Sequence, residues 1–149
     1  MGRAFIRMLT AAPMAAAFAL AACGGGGEPE VIADVHVHLD EWSVEPDVPS
    51  VSGPAAVTFA GHNHGQFPHQ VVVIKTEMDA AALPEERGRV DVDAAGEEIL
   101  AFEVPEADGG EGVQVGTSDL EPGNYVILCN IPGHYQQGMY AAFQVTSGP

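Results

Sequence analysis

The chain has 149 residues, of which 21 are acidic and five basic, giving a formal net charge of −16. That balance excludes a protein that works by neutralising nucleic-acid phosphates or by lying on anionic lipid. It favours basic or patch-directed partners met at salt-sensitive rates, or simply solubility in a salty medium.

At the N-terminus, Arg3 and Arg7 precede an apolar stretch from Met8 to Leu20. The stretch is too short to cross a bilayer but has the length of a secretory h-region. Leu20-Ala-Ala-Cys23 follows, and it resembles a bacterial lipobox, in which Cys23 becomes the lipidated first residue of the mature chain. The Gly-rich run from Gly24 to Glu30 then reads as a tether with a reach of at most about 25 Å. Cleavage at an Ala-x-Ala site, near Ala15 to Ala17 or Ala21, would export the chain equally well. The expected organisation is a lipoprotein signal peptide over 1–22, the lipidated Cys and tether over 23–30, and a single domain over 31–149 of ordinary domain size. The expected location is the outer face of the cytoplasmic membrane or the periplasm. With Cys23 acylated, Cys129 is the one remaining thiol, and no intrachain disulfide can form.

In the mature chain the first strand signal is the alternation of Val31, Ala33, Val35, Val37 and Leu39 with Asp34, His36, His38 and Asp40, one face buried and one wet. Further strands are expected over Ala55 to Gly61 and Gln70 to Thr76, either side of a Gly/Pro turn. Met78 to Leu100 is expected as a short helix or an acidic loop. Ile99 to Val104 and Val113 to Val115 read as strands. Leu120-Glu-Pro-Gly-Asn-Tyr125 has turn chemistry leading into an apolar strand, with Tyr125 placed to act as a corner tyrosine. Tyr125, Ile127 and Cys129 share one face, and Met139, Ala141, Phe143 and Val145 share another. Short strands, Gly/Pro turns and the lack of a long helical pattern favour a β-sandwich.

The last loop carries the chemistry. Cys129-Asn-Ile-Pro-Gly-His134-Tyr-Gln-Gln-Gly-Met139 sets a thiolate, an imidazole and a thioether on one short connection. Together with a second His, that donor set suits copper cycling between two oxidation states. The best second His is His69, which ends a turn and opens an apolar strand; His64 is the runner-up. Singly, a Cys or Met at such a place is commonly core, but the set on one loop favours the metal. His36 with His38, and His62 with His64, lie two apart on strands. They read as exposed polar residues on a wet face, with a second copper or zinc site as the functional version.

Asn63-His-Gly-Gln-Phe-Pro-His69 and Tyr125-Val-Ile-Leu-Cys129-Asn-Ile-Pro-Gly-His134-x4-Met139 resemble the ligand motifs of the cupredoxins, the type 1 blue copper proteins that include plastocyanin, azurin, auracyanin, rusticyanin and sulfocyanin. The loop spacing is nearer the auracyanin and rusticyanin arrangement. The resemblance covers roughly residues 31 to 146. It implies an all-β, Greek-key sandwich of about seven to eight strands, with His69, Cys129 and His134 as equatorial ligands of one copper ion and Met139 as the axial one. Asn63, Gln70 and Asn130 are implied as supports of the ligand loops, Gln70 standing where azurin and plastocyanin have Asn. Phe67, Pro68, Ile131, Pro132 and Tyr135 are implied to ring His134 as an apolar docking patch. The implied function is single-electron transfer outside the cytoplasmic membrane between redox protein partners, such as a cytochrome or a respiratory oxidase. The alternative is a carrier that delivers copper to an oxidase. An enzymatic role is disfavoured, since small copper oxidases and nitrite reductases need further copper clusters or a second domain.

Overall fold

The computed structural model describes residues 31–107 and 111–148. The expected signal peptide, Cys23 and the Gly-rich tether lie outside the described residues. Val31–Pro149 forms one compact unit.

In chain order the elements are β1 (Val35–Asp40), β2 (Ser43–Pro46), β3 (Ser50–Gly53), β4 (Ala55–Asn63), β5 (His69–Lys75), β6 (Glu85–Glu86), β7 (Arg89–Val90), α1 (Val92–Ala95), β8 (Glu97–Val104), β9 (Gly112–Leu120), β10 (Gly123–Leu128) and β11 (Tyr140–Ser147). One sheet has the order β2-β1-β4-β9 and the other β3-β11-β10-β5-β8, while β6 and β7 form a separate hairpin. The short edge strands β2 and β3 bring the two sheets to nine strands. Strands β1 with β4 and β3 with β11 are parallel, and the other pairs are antiparallel.

The alternation read in the sequence decides the inner face. Val35, Val37 and Leu39 of β1 meet Val57 and Phe59 of β4, and across the sandwich they face Val71, Val73, Tyr125, Ile127, Phe143 and Val145. Burying a side chain of this kind contributes roughly 1.5–3 kcal/mol. Gly61 is required by close approach: a Cβ there would lie 2.6 Å from Val104 Cγ2.

β5 and β10 are apolar on both faces because a second cluster covers their outer side. Val72, Ile74, Val126 and Leu128 pack there against Leu83, Val90, Ala95 and Tyr135. The segment expected as a short helix or acidic loop is therefore a cover, built from the β6–β7 hairpin and the single turn α1. Asp91 caps that turn, accepting from the Ala94 amide. β4 extends past the expected Gly61 to Asn63, and β9 runs over nine residues where a short strand was expected. Tyr125 is a corner tyrosine, its hydroxyl donating to the Glu121 carbonyl.

Candidate metal centre

β5 and β10 are hydrogen-bonded neighbours, with Val72 opposite Leu128. This register sets His69, at the start of β5, beside Cys129, just past the end of β10. The Gln70 amide lies 3.3 Å from Cys129 Sγ. His134 returns to the same spot through a tight loop. Its amide donates to the Ile131 carbonyl at 3.0 Å, and Gly138, at φ +108°, ends the following 3-10 turn with a left-handed residue. The Cys129 amide donates to the Met139 carbonyl at 3.0 Å, which closes the loop and holds the buried Met139 beside the cluster.

His69 Nδ1, Cys129 Sγ and His134 Nδ1 form a triangle with sides of 3.2, 3.4 and 3.8 Å. The circle through three points so spaced has a radius of about 2.0 Å, close to the usual 2.0–2.3 Å from a metal to imidazole nitrogen or thiolate sulfur. The donors thus fit one transition-metal ion lying between them. Burial pushes the Cys129 thiol up, against the lowering influence of the Ile131 and Gln70 amides and of Arg89. Burial also lowers His69 and His134; at His69 the charge of His134 lowers it further, while Glu41 opposes the shift at both. Neutral imidazoles are what a metal requires.

The supports expected from sequence are found in part. Asn63 is fully buried and braces the turn before His69, donating to the Phe67 and Pro105 carbonyls at 2.7 and 3.0 Å and accepting from the Gly65 amide at 2.9 Å. Asn130 ties the Cys loop to the cover: its Oδ1 accepts from the Val90 amide at 2.7 Å and its Nδ2 donates to the Val90 carbonyl at 3.2 Å. Gln70 acts through its backbone amide on the sulfur. Phe67, Pro68 and Pro132 are exposed and Ile131 is half-buried. Tyr135 is a correction. It is buried, donating from its hydroxyl to the Ala80 carbonyl and accepting from the Leu83 amide, because the cover segment needs an anchor there. His64 lies outside the donor triangle, on another cluster.

Two residues were missed on sequence. Glu41 accepts from the Gln66 and Phe67 amides at 2.8 and 3.0 Å and stands 3.6 Å from His69 Nε2, the buried nitrogen that points away from the triangle. Burial raises its carboxyl, but those amides outweigh it and leave Glu41 below the usual carboxylate range. Trp42, the chain's single tryptophan, meets His134 edge-on at 5.0 Å between ring centroids and stacks on Phe67 at 6.5 Å. An acid among many acids carries no sequence signal. The lone Trp following the first strand was the available clue to an aromatic wall.

Residues 49–148 match the family model described as the sulfocyanin (SoxE) domain. A sequence comparison with curated proteins gives no match. Among solved structures, the chain is similar to reduced auracyanin from Roseiflexus castenholzii, at 23% identity and a TM-score of 0.54, covering 76% of this chain and 95% of that one. It is also similar to rusticyanin from Thiobacillus ferrooxidans, at 22% identity and a TM-score of 0.53, covering 74% of this chain and 76% of that one. These likenesses support the cupredoxin fold, and the family match together with the donor triangle makes the cofactor one copper ion. The chain belongs to the sulfocyanin family of cupredoxins, blue copper proteins that carry electrons.

Proposed function

We propose that the protein passes single electrons between redox proteins outside the cytoplasmic membrane, with His69, Cys129 and His134 as equatorial ligands and Met139 as the axial one. The observation that carries this reading is the donor triangle, whose atoms stand at ligand spacing before any metal is considered. Copper bound there supplies one-electron chemistry, cycling between Cu(II) and Cu(I). The chain's own part is to keep the donors still. His69 and Cys129 are fully buried, Asn63 and Asn130 pin the two loops by hydrogen bonds to backbone, and Glu41 faces the far nitrogen of His69. A site held from outside its ligands changes little between oxidation states.

His134 is the half-buried member, reached through a surface patch of Trp42, Phe67, Pro68 and Pro132. Electrons enter and leave at that imidazole edge, and a partner docks on the patch. The copper-carrier reading fits less well, since a fully buried thiolate and imidazole favour retention over release. The Arg3/Arg7 and Leu20-Ala-Ala-Cys23 pattern supports export with acylation at Cys23, to the outer face of the cytoplasmic membrane or the periplasm.

Stopped-flow mixing of the reduced copper protein with a basic redox protein such as cytochrome c tests the function, run with a Cu(I) chelator present. Rapid oxidation of the copper site with copper retained is the expected result. Transfer of copper to the chelator on reduction, without electron exchange, would establish carriage instead.

A further inference from the structure

The chain's six histidines divide into two at the donor triangle and four elsewhere. Those four converge on the outer face of the first sheet. β1 and β4 run parallel with His38 opposite His62 and His36 opposite Ala60. Alternate residues of a strand share a face, so His36 and His38 project away from Val35, Val37 and Leu39. His62 joins them from β4, and His64, whose amide donates to the Leu39 carbonyl at 2.9 Å, continues the row.

The rings lie 5.0–5.3 Å apart between centroids. His36 Nδ1 is 2.8 Å from His62 Nε2, and His38 Nδ1 is 3.0 Å from His64 Nε2. The Nδ1 atoms of His62 and His64 each lie 3.3 Å from the same oxygen, Oε1 of Glu111. A carboxylate oxygen only accepts, so a proton on either of these Nδ1 atoms faces Glu111 and leaves that ring's Nε2 lone pair turned toward its neighbour. An imidazole whose far N–H is fixed on a carboxylate is the arrangement found behind metal-ligating histidines. Isolated histidines on a wet face, the reading taken from sequence, would have no reason to share one carboxylate.

We propose that this ladder is a second metal site, separate from copper, that binds a borderline divalent ion of the zinc class. His38 Nδ1 and His64 Nε2 are its nitrogen donors, Glu111 lies within reach, and the donor atoms of these three residues fall within 4.8 Å of one another. Binding needs His38 to hold its proton on Nε2, a tautomer change that costs the chain no net charge. Imidazole donors select against calcium and magnesium, which take oxygen. With two imidazole donors from the chain and Glu111 behind His64, coordination positions stay open, so the bound ion can also accept a ligand from outside.

The test is zinc titration of tag-free, copper-loaded protein, by calorimetry and by metal analysis after dialysis, while the blue absorption is monitored. One zinc per chain should be taken up with the blue colour intact. Uptake should be lost in His38→Ala and His64→Ala, and weakened about 10–100-fold in Glu111→Gln, with the copper spectrum unchanged in all three. The shape-preserving Glu111→Gln variant keeps the test decisive if an alanine variant folds poorly. No stoichiometric uptake, uptake indifferent to these substitutions, or uptake that bleaches the copper would overturn the proposal.

Discussion

At the scale of single residues, Glu41 and Cys129 make the most direct demands on the account. Glu41 faces His69 Nε2 at 3.6 Å and holds the Gln66 and Phe67 amides. Glu41→Gln keeps the size but removes the charge, and copper affinity should fall about 10–100-fold, as for other carboxylates behind a ligating His. Competition with a chelator measures it. Cys129→Ser should abolish the intense colour of the Cu(II) protein while leaving the far-ultraviolet circular dichroism unchanged, since one buried thiol is replaced by a smaller group of like shape. The two buried imidazoles set a pH dependence. In the metal-free protein His69 and His134 titrate below the ordinary value, mainly through burial. The unfolded chain therefore binds more protons than the folded one as pH falls through about 6.5, and stability drops in that direction. Urea midpoints of the metal-free protein at pH 7.5 and 5.5 should show the loss, reduced in His69→Gln. A midpoint independent of pH would remove the buried-imidazole argument.

At the scale of elements, the legible parts were those with local periodicity. β1 and β11 alternate cleanly, and the Cys129 to Met139 loop declares its donors in one stretch of sequence. The cover between β5 and β8 was illegible because its anchors, Leu83, Val90 and Ala95, are widely spaced among exposed acids. β9 was mostly missed for a related reason. Its long pairing with β4 runs through Gly, Thr and Ser residues, with Gln114, Val115, Thr117 and Asp119 exposed, so it shows little apolar pattern. The parallel pairing of β1 with β4, which joins the two His-x-His pairs, is a long-range event that neither strand encodes alone. The cover also has a mechanical role, because Asn130 locks the Cys loop to β7 through both hydrogen bonds to Val90. Asn130→Ala leaves those buried backbone groups unpaired and should cost about 1–3 kcal/mol of stability in urea unfolding of the metal-free protein. A change below measurement error would show that the cover does not hold the loop.

For the whole molecule, the sandwich supplies two rigid sheets, one acidic surface and one apolar opening over His134. The formal charge of −16 means that encounter with a basic partner is steered over distance, and its rate should fall steeply as salt rises, since screening shortens to about 8 Å at physiological ionic strength. On the proposed reading, contact is then made through the exposed Trp42, Phe67 and Pro132 near His134. The most direct test of the central claim, one copper bound by His69, Cys129, His134 and Met139 and cycling in place, is the visible and electron-paramagnetic spectrum of residues 24–149 with one equivalent of Cu(II), before and after mild reduction. An intense thiolate-to-copper absorption with narrow copper hyperfine splitting, bleached by reductant and restored by oxidant without loss of metal, is the predicted result. A pale protein with broad splitting, or one that releases its copper on reduction, would contradict it.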